Sequence, residues 1–342
     1  MKAAVYYSPL NLKIVELDDP IIGDGELIIK PIIVGVCPTD VRIYYSGSSS
    51  VKSPIILGHE VSGIIVDSKS PEFMVGERVN IAADAPCLTC RYCHKGLHNL
   101  CEDMLSIGLN VDGAYATLMR VPRRFVDNGL VFKLPDHISF EEGALIELVA
   151  VSLNAISLIH PANEDRVAII GDGPNALIHI MLFRNYYNVS KIYVIGLLEH
   201  RLKAALSFGA DKVINVASLN SLNEIYTEIG EPIDIIDVTV GNQEAIKEVE
   251  SLIKKGVRIT FFAGSHPDVT IPISINKIHY NQLLLTGSSG TTINNYRKAI
   301  ELIINRIIDL RKLITHKYPL SDILLAFDNS RKGSGLKTVI IP

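Results

Sequence analysis

Three stretches of the chain carry side chains of the kinds that bind a catalytic metal. The first has Cys37, the second has His59 and Glu60 directly after Gly58, and the third has Glu147. A thiolate, an imidazole and a carboxylate can hold Zn²⁺ with one coordination position left open for water or substrate. Taken singly, Cys37 is equally compatible with a small buried hydrophobic residue, and His59 with an ordinary histidine. Their combination makes a catalytic zinc site a candidate that needs support from the rest of the chain.

Two residues beside Cys37 are candidates to support such a site. Asp40 fits the carboxylate that accepts the second N–H of a metal-bound imidazole and so fixes its tautomer; the alternative is a solvated loop aspartate. Thr39 offers a hydroxyl able to pass on the proton of a zinc-bound alcohol, or is simply a turn residue. We expect residues 37–40 to form a loop.

The remaining cysteines fall within one short segment, about 86–102, and are Cys87, Cys90, Cys93 and Cys101. Four soft ligands this close together, in a loop shaped by Pro86 and Gly96, suit a closed tetrahedral zinc site. Such a site is structural because no position is left for water; disulfide pairing is the main alternative. His94 and His98 lie in the same loop, but four cysteines already fill a tetrahedron, so we expect both histidines at the surface.

Together these motifs resemble the zinc-containing medium-chain dehydrogenase/reductase family, the zinc alcohol dehydrogenases, and the resemblance extends along nearly the whole chain. It implies an α/β fold that combines a GroES-like β-barrel catalytic domain with a Rossmann domain, a doubly wound parallel sheet. We expect the catalytic domain at 1–148 and 289–342, the Rossmann domain at 149–288, and the metal in a cleft between them. The resemblance assigns all five cysteines, one to a catalytic zinc and four to a structural zinc.

The segment around Glu147 resembles sorbitol- and other polyol-type members, which supply a glutamate where other zinc alcohol dehydrogenases place a third protein ligand, a cysteine. Glu147 is then either a direct ligand or a hydrogen-bond partner of the zinc-bound water, and Glu60 is the other candidate for the direct ligand. Outside a metal site, Glu147 would be a carboxylate stabilised by the dipole of a helix N-terminus. A charge among Ala, Leu and Val is costly unless it is paired, which favours the role in the site.

From Val167 onward, short apolar strands alternate with helices, which predicts about six parallel strands in a doubly wound sheet. Between the first strand and its helix stands Gly-x-Gly-x-x-Ala, formed by Gly171, Gly173 and Ala176, with Pro174 after the second glycine. Glycines at these positions allow a tight turn and close approach of the backbone to a pyrophosphate at the helix N-terminus. The place of this motif in the chain makes it a candidate dinucleotide site.

The end of the second Rossmann strand, Gly196, bears on the choice of cofactor. NAD-preferring Rossmann domains place an Asp or Glu about 20 residues after the glycines, where it binds the ribose 2′-hydroxyl. Gly196 lacks that acid, and His200 and Arg201 follow closely enough to pair with a 2′-phosphate. Arg201 also occurs in NAD-dependent relatives, and Glu199 could partly replace the acid. We predict a modest preference for NADP over NAD.

Composition narrows the remaining possibilities. The chain has 342 residues, of which 48% are hydrophobic and 20% charged, enough for two globular domains. A net charge of -4 without a block of basic residues argues against a nucleic-acid or anionic-membrane surface. The start of the chain has no apolar signal-peptide region, and the most apolar helix candidate, 145–159, is too short to span a membrane. We therefore expect a cytoplasmic protein with reduced cysteines.

The resemblance implies hydride transfer between a secondary alcohol and NAD(P), with two zinc ions per subunit and a homodimeric or homotetrameric assembly. A polyol, cyclitol or sugar is the first choice of substrate, and glucose, threonine or a simple secondary alcohol are alternatives. Ser288, Tyr296 and Arg297 are candidates to approach substrate hydroxyls, although the surface is the more usual place for the last two.

Several residues depart from the family pattern. Many relatives have, shortly after the zinc cysteine, a histidine that ends a proton relay, and Arg42 stands there. Guanidinium is a poor proton shuttle, so the proton would leave through Glu147 or bulk water. With Pro38, Asn154 and Asp172, this departure keeps open a catalytically silent relative that only binds a dinucleotide. A lyase or reductase without the catalytic metal is disfavoured by the intact set of candidate ligands.

Overall fold

The computed structural model describes all 342 residues of the chain, which group into two compact units. The first unit contains Met1–Ala150, Thr291–Asn305 and Leu310–Pro342, and the second contains Val151–Gly290 and Arg306–Asp309. Each unit has its own sheets and its own buried core. None of the helices combines the length and the apolar character needed to cross a membrane.

The N-terminal part of the chain consists mainly of β-strands. The strands are β1 Lys2–Ser8, β2 Asn11–Glu16, β3 Leu27–Gly35, β4 Ile55–Ile56, β5 Glu60–Ser68, β6 Arg78–Ile81, β7 Asp84–Ala85, β8 Leu105–Ser106, β9 Met119–Val121 and β10 Val131–Lys133. The helices are α1 Pro38–Ser46, α2 Arg91–His94, α3 Arg123–Asp127, α4 Phe140–Ala144 and α5 Ile146–Ser157.

The second unit alternates strands with helices. Its strands are β11 Arg166–Ile170, β12 Lys191–Gly196, β13 Lys212–Asn215, β14 Ile235–Val238, β15 Arg258–Phe261 and β16 Leu284–Gly287. Its helices are α6 Pro174–Asn185, α7 Glu199–Phe208, α8 Asn223–Ile229, α9 Gln243–Leu252 and α10 Ile275–Asn281.

These six strands form one parallel sheet in the order β13-β12-β11-β14-β15-β16. Counted from the first strand of this unit, the order is 3-2-1-4-5-6, that of the doubly wound nucleotide-binding sheet. The central strand β11 carries Val-Ala-Ile-Ile without interruption, as expected where helices cover both faces of a parallel sheet. Ile170 at the end of β11 lies opposite Ile195 of β12 and Val238 of β14, and all three are fully buried. The predicted sheet of about six parallel strands is confirmed.

The end of the chain returns to the first unit. It adds α11 Ile293–Ile304, β17 Ile314–Pro319, α12 Ile323–Lys332 and β18 Lys337–Ile341. Strand β18 pairs antiparallel with β3, with Val339 opposite Gly35. The larger sheet of this unit therefore runs β10-β6-β5-β3-β18-β17, with β9 also paired to β3. A smaller sheet has the order β2-β1-β4.

The prediction of a loop at residues 37–40 is wrong. Cys37 is the N-cap of α1, and Pro38 is the first helical residue. Proline is favoured at that position because its fixed φ is already helical and its missing N–H would have no partner there. The helix places Asp40 in its first turn, fully buried.

The surface position expected for Tyr296 is also wrong. Its side chain is 1% exposed, its hydroxyl donates to Asn80 Oδ1 at 3.0 Å, and its ring stacks on Phe132. The buried face of α11 holds Ile293, Tyr296, Ala299, Leu302 and Ile303. This helical spacing of apolar residues is a sequence signal that marks Tyr296 as a core residue. Arg297, on the opposite side of α11, is exposed as expected.

Candidate metal centres and dinucleotide site

The structure brings together three of the predicted zinc ligands. One ligand atom each from Cys37, His59 and Glu60 lie within 4.8 Å of one another. Cys37 stands between β3 and α1, and Glu60 is the first residue of β5. Because β3 and β5 are paired, the two stretches that are separate in sequence meet at one end of the sheet.

Gly58 shapes the approach to this cluster. Its φ is +93°, a conformation that side chains rarely adopt, and an added Cβ would lie 3.0 Å from the ring of Tyr115. Glycine is therefore required both for the turn and for the close approach of the tyrosine. The two residues that follow this turn are the candidate ligands His59 and Glu60.

Asp40 and Tyr115 stand behind His59. Asp40 Oδ1 lies 3.5 Å from His59 Nδ1, and the hydroxyl of Tyr115 donates to Asp40 Oδ2 at 2.9 Å. Burial, together with the charge of Asp40, holds the pKa of Tyr115 well above its ordinary value, so the tyrosine stays a protonated donor. This is the arrangement in which a carboxylate orients a metal-binding imidazole. Asp40 was predicted from its place beside Cys37, whereas Tyr115 lies in an irregular segment and was not predicted, because nothing around it in the sequence marks it.

Glu60 is held by a buried lysine that the sequence analysis also missed. Lys337 Nζ donates to Glu60 Oε1 at 2.8 Å, lies 2.7 Å from Oε2, and donates to the carbonyl of Val36 at 3.0 Å. The two side chains are 1% and 2% exposed. Gly35 makes room for the carboxylate, since an added Cβ would lie 1.7 Å from Glu60 Oε2. Lys337 opens a strand that ends in Val-Ile-Ile, but nothing near it in sequence points to Glu60.

The charges at this centre fit a divalent cation. The side chains of Cys37, Asp40 and Glu60 meet here, and the ammonium group of Lys337 pairs with Glu60. Burial lowers the pKa of His59, but the attraction of Asp40 and Cys37 outweighs it and holds that pKa well above the ordinary value. The site therefore attracts positive charge, and its thiolate, imidazole and carboxylate are ligands that Zn²⁺ prefers.

Glu147 lies outside the three-residue cluster. It stands in the first turn of α5 and is partly buried. Burial raises its pKa to about 7, and the charges of His59 and Glu60 act on it in opposite directions. The geometry thus favours Glu60 over Glu147 as the direct ligand and leaves Glu147 as a nearby group that can hold a proton. Thr39 is half-buried at the second position of α1, and Arg42 on the same helix is exposed.

A second cluster contains the remaining cysteines, Cys87, Cys90, Cys93 and Cys101, with their sulfurs within 4.8 Å of one another. All four are free thiols, and Cys90 Sγ lies 3.6 Å from Cys93 Sγ and 4.0 Å from Cys101 Sγ. Two thiolates 2.3 Å from a central zinc are separated by roughly 3.8 Å, so the spacing fits one tetrahedral ion. His94 is exposed, as expected; His98 is half-buried and accepts the Ile293 N–H.

The glycine-rich turn lies between β11 and α6. Gly171 has a φ of +115°, and an added Cβ would lie 2.4 Å from Thr239 Oγ1, so the turn requires glycine. Gly173 is the N-cap of α6, Pro174 is its first residue, and Ala176 is fully buried. The N-terminus of a helix preceded by such a turn is suited to bind a pyrophosphate.

The predicted cofactor residues at the end of the second strand differ in whether they already contact another side chain. Gly196 ends β12, and His200 is exposed on α7. Arg201 Nη1 lies 3.7 Å from the carboxylate of Asp172, within the glycine-rich turn. Asp172, considered above only as a departure from the family pattern, therefore belongs to this site.

Comparison with known proteins decides the family. The model of the alcohol dehydrogenase GroES-like domain matches residues 23–136, and that of the zinc-binding dehydrogenase matches residues 177–305. The sorbitol dehydrogenase of Bacillus subtilis (strain 168) is 31% identical over 351 residues, covering 100% of this chain and 97% of that protein. The chain belongs to the zinc-containing medium-chain dehydrogenase/reductase family. The predicted family is confirmed, including its likeness to the sorbitol-type members.

Solved structures show the same fold for this dehydrogenase. An alcohol dehydrogenase from Escherichia coli CFT073, in complex with NADH, matches with a TM-score of 0.89 at 25% identity, over 100% of this chain and 99% of that one. A protein described as a zinc-binding dehydrogenase from Sinorhizobium meliloti 1021, bound to NADP, matches with a TM-score of 0.92 at 23% identity and the same coverage. The predicted combination of GroES-like and Rossmann domains is confirmed.

We predict that Gly35→Ala will weaken metal binding at the Cys37, His59 and Glu60 cluster. The new methyl group needs the space of Glu60 Oε2, so the carboxylate must move. The zinc content after dialysis, measured by mass spectrometry, should fall while the four-cysteine centre keeps its metal. Gly264→Ala is the matched control, because an added Cβ there meets nothing within 4 Å. A folded Gly35→Ala protein with wild-type zinc content would contradict the role given to Glu60.

Proposed function

We propose that this dehydrogenase transfers a hydride between the CH–OH carbon of a polyol, cyclitol or sugar and a nicotinamide dinucleotide. The observation that carries the proposal is the cluster of Cys37, His59 and Glu60, supported by buried Asp40 and Lys337. The sorbitol dehydrogenase that matches the whole chain supports the polyol class. The NADH complex of the Escherichia coli relative supports the cofactor class.

We propose two zinc ions per chain, one at this cluster and a structural one at the four cysteines. Zinc in the first centre supplies Lewis acidity that lowers the pKa of a bound hydroxyl. Asp40 keeps one nitrogen of His59 in a fixed protonation state, which leaves the other as a lone-pair donor. Lys337 and the space at Gly35 keep the Glu60 carboxylate in one position.

Glu147 is proposed to take the proton of the substrate hydroxyl. Its pKa of about 7 is close to that of an efficient general base at neutral pH. The hydroxyl of Thr39 is the proposed relay to it, and the charged guanidinium of Arg42 cannot take this role. The turn with Gly171, Gly173, Pro174 and Ala176 is the proposed pyrophosphate site.

The Rossmann sheet offers a surface for self-association. Strand β16 is at one edge, so one side of its backbone has no strand partner. Exposed apolar side chains lie on and before it, with Ile275 83%, Tyr280 73% and Leu284 41% exposed. Edges of this kind readily pair with another chain. We propose that a second copy covers this edge in a homodimer or homotetramer.

The first experiment is a spectrophotometric hydride-transfer screen of the protein, with its zinc content assayed on the same preparation. Sorbitol, xylitol, arabinitol, inositol, glucose, threonine and 2-butanol are tested with NAD and with NADP. We expect turnover of at least one polyol and two zinc ions per chain. No turnover with two zinc ions would contradict the substrate class. No turnover with one zinc ion would favour a silent dinucleotide-binding relative.

We predict that Glu147→Gln will lower kcat by about 100-fold while zinc content stays unchanged, as expected for loss of a general base. A base acts in its deprotonated form, so wild-type alcohol oxidation should rise with pH through about 7, the pKa of Glu147. The variant should lack that rise. Arg42→His should retain turnover. An unchanged pH profile in Glu147→Gln would direct the proton to bulk water instead.

We predict that the protein elutes with the mass of two or four chains in size-exclusion chromatography with light scattering. Leu284→Lys should shift the mass toward a single chain, because it places a charge on the β16 edge. The matched control is Leu206→Lys, since Leu206 on α7 is 46% exposed and lies away from that edge. A wild-type protein with the mass of one chain would contradict the assembly.

A further inference from the structure

The end of β12 is where a Rossmann domain places the acid that binds the 2′-hydroxyl of the adenine ribose. In this chain the position is Gly196, and the structure shows what fills the space. A Cβ added to Gly196 would lie 2.8 Å from both Cβ and Oδ2 of Asp172. The side chain of Asp172 therefore stands where the side chain of a strand-end acid would begin.

Asp172 is fixed in that place. Its Oδ2 accepts the N–H groups of Leu197 at 2.8 Å and Leu198 at 2.7 Å, the two residues that follow β12. Its Oδ1 lies 3.7 Å from Arg201 Nη1. The two backbone N–H groups hold the Asp172 side chain in one orientation. The carboxyl group of Asp172, from the glycine-rich turn, is therefore fixed at the end of β12.

A second carboxyl group, Glu248, adds a partial negative charge near this position at neutral pH. Glu248 on α9 is only 7% exposed, and burial followed by repulsion from Glu244 and Asp172 raises its pKa to about 7. Glu248 is therefore close enough to Asp172 for the two carboxylates to repel each other. A 2′-phosphate carries roughly -1.5 to -2 charge at neutral pH, and it would enter the same field.

The two cations that favoured NADP in the sequence analysis are not arranged for a phosphate. The guanidinium of Arg201 is paired with Asp172, and both side chains are nearly buried, at 12% and 11% exposed. His200 lies on the exposed side of α7. Neither residue compensates for a carboxylate already at the strand end.

We propose that Asp172, from within the glycine-rich turn, is the carboxylate that binds the adenine-ribose 2′-hydroxyl and makes NAD the preferred dinucleotide. This inference rests on the proposed function, in which a nicotinamide dinucleotide binds the second unit. The modest preference for NADP was predicted from the missing acid at Gly196, without the side chain of Asp172. The present inference reverses that prediction. Gly196 and Asp172 depend on each other, because the side chain of Asp172 occupies the space that a side chain at position 196 would need.

The test measures binding by isothermal titration calorimetry, with NADH and NADPH on the zinc-loaded protein. We expect wild-type protein to bind NADH at least about 10-fold more tightly than NADPH, because a hydrogen bond to a charged group is lost and repulsion is added. Asp172→Asn keeps an oxygen for the amides of Leu197 and Leu198 but removes the charge. It should reduce the preference by about 10-fold.

Two further variants separate this role from a structural one. Asp172→Gly combined with Gly196→Asp exchanges the two residues, moves the acid to the strand end and should restore the preference for NADH. Glu199→Gln is the matched control, because this exposed carboxylate is the other nearby candidate acid. It should leave the ratio of the two affinities unchanged. Melting temperatures show whether each variant is folded.

The outcomes distinguish the inference from the proposed function. If neither dinucleotide binds, the proposed function itself fails. If both bind and NADPH binds as tightly as NADH, or Asp172→Asn leaves the ratio unchanged, the role of Asp172 is wrong. If Glu199→Gln changes the ratio instead, Glu199 is the acid that the site uses.

Discussion

The buried ion pair between Glu60 and Lys337 is the interaction on which the first unit depends. Both side chains are almost completely removed from water, and either charge alone in that place would be strongly destabilising. Lys337 opens the last strand, β18, and Glu60 opens β5, with β3 between them in the sheet. The end of the chain must therefore return to the first unit before a carboxylate can be held beside Cys37 and His59.

This pair also bears on the charge of the candidate metal centre. Lys337 compensates the charge of the Glu60 carboxylate. A divalent ion bound at Cys37 and His59 would then balance the Cys37 side chain and the Asp40 carboxylate, which lies beside His59. The pKa of His59 is raised because the same neighbouring groups, Asp40 and Cys37, attract positive charge. Residues outside the candidate ligand set thus help to define the environment of this centre.

The features that could be predicted from the sequence are those whose residues lie close together along the chain. The four-cysteine segment, the Gly-His-Glu stretch and the glycine-rich turn are local patterns, and the strand and helix periodicity around them predicted the parallel sheet. Contacts between residues distant in sequence were not predicted: Tyr115 beside Asp40, Lys337 beside Glu60, and Tyr296 beside Asn80. Such contacts arise from strand pairing and helix packing, which a single sequence does not display.

Asp172 and Gly196 show a second reason why a single sequence does not reveal the cofactor site. In sequence they are two separate departures from a family pattern, and each alone weakens the expectation of a cofactor site. In the structure one departure accommodates the other, because the carboxylate needs the volume that a strand-end side chain would fill. A missing acid is then evidence about specificity only after the space it leaves has been examined. The same reasoning applies to Gly35 and Glu60, where a glycine opposite a carboxylate marks the place that the carboxylate occupies.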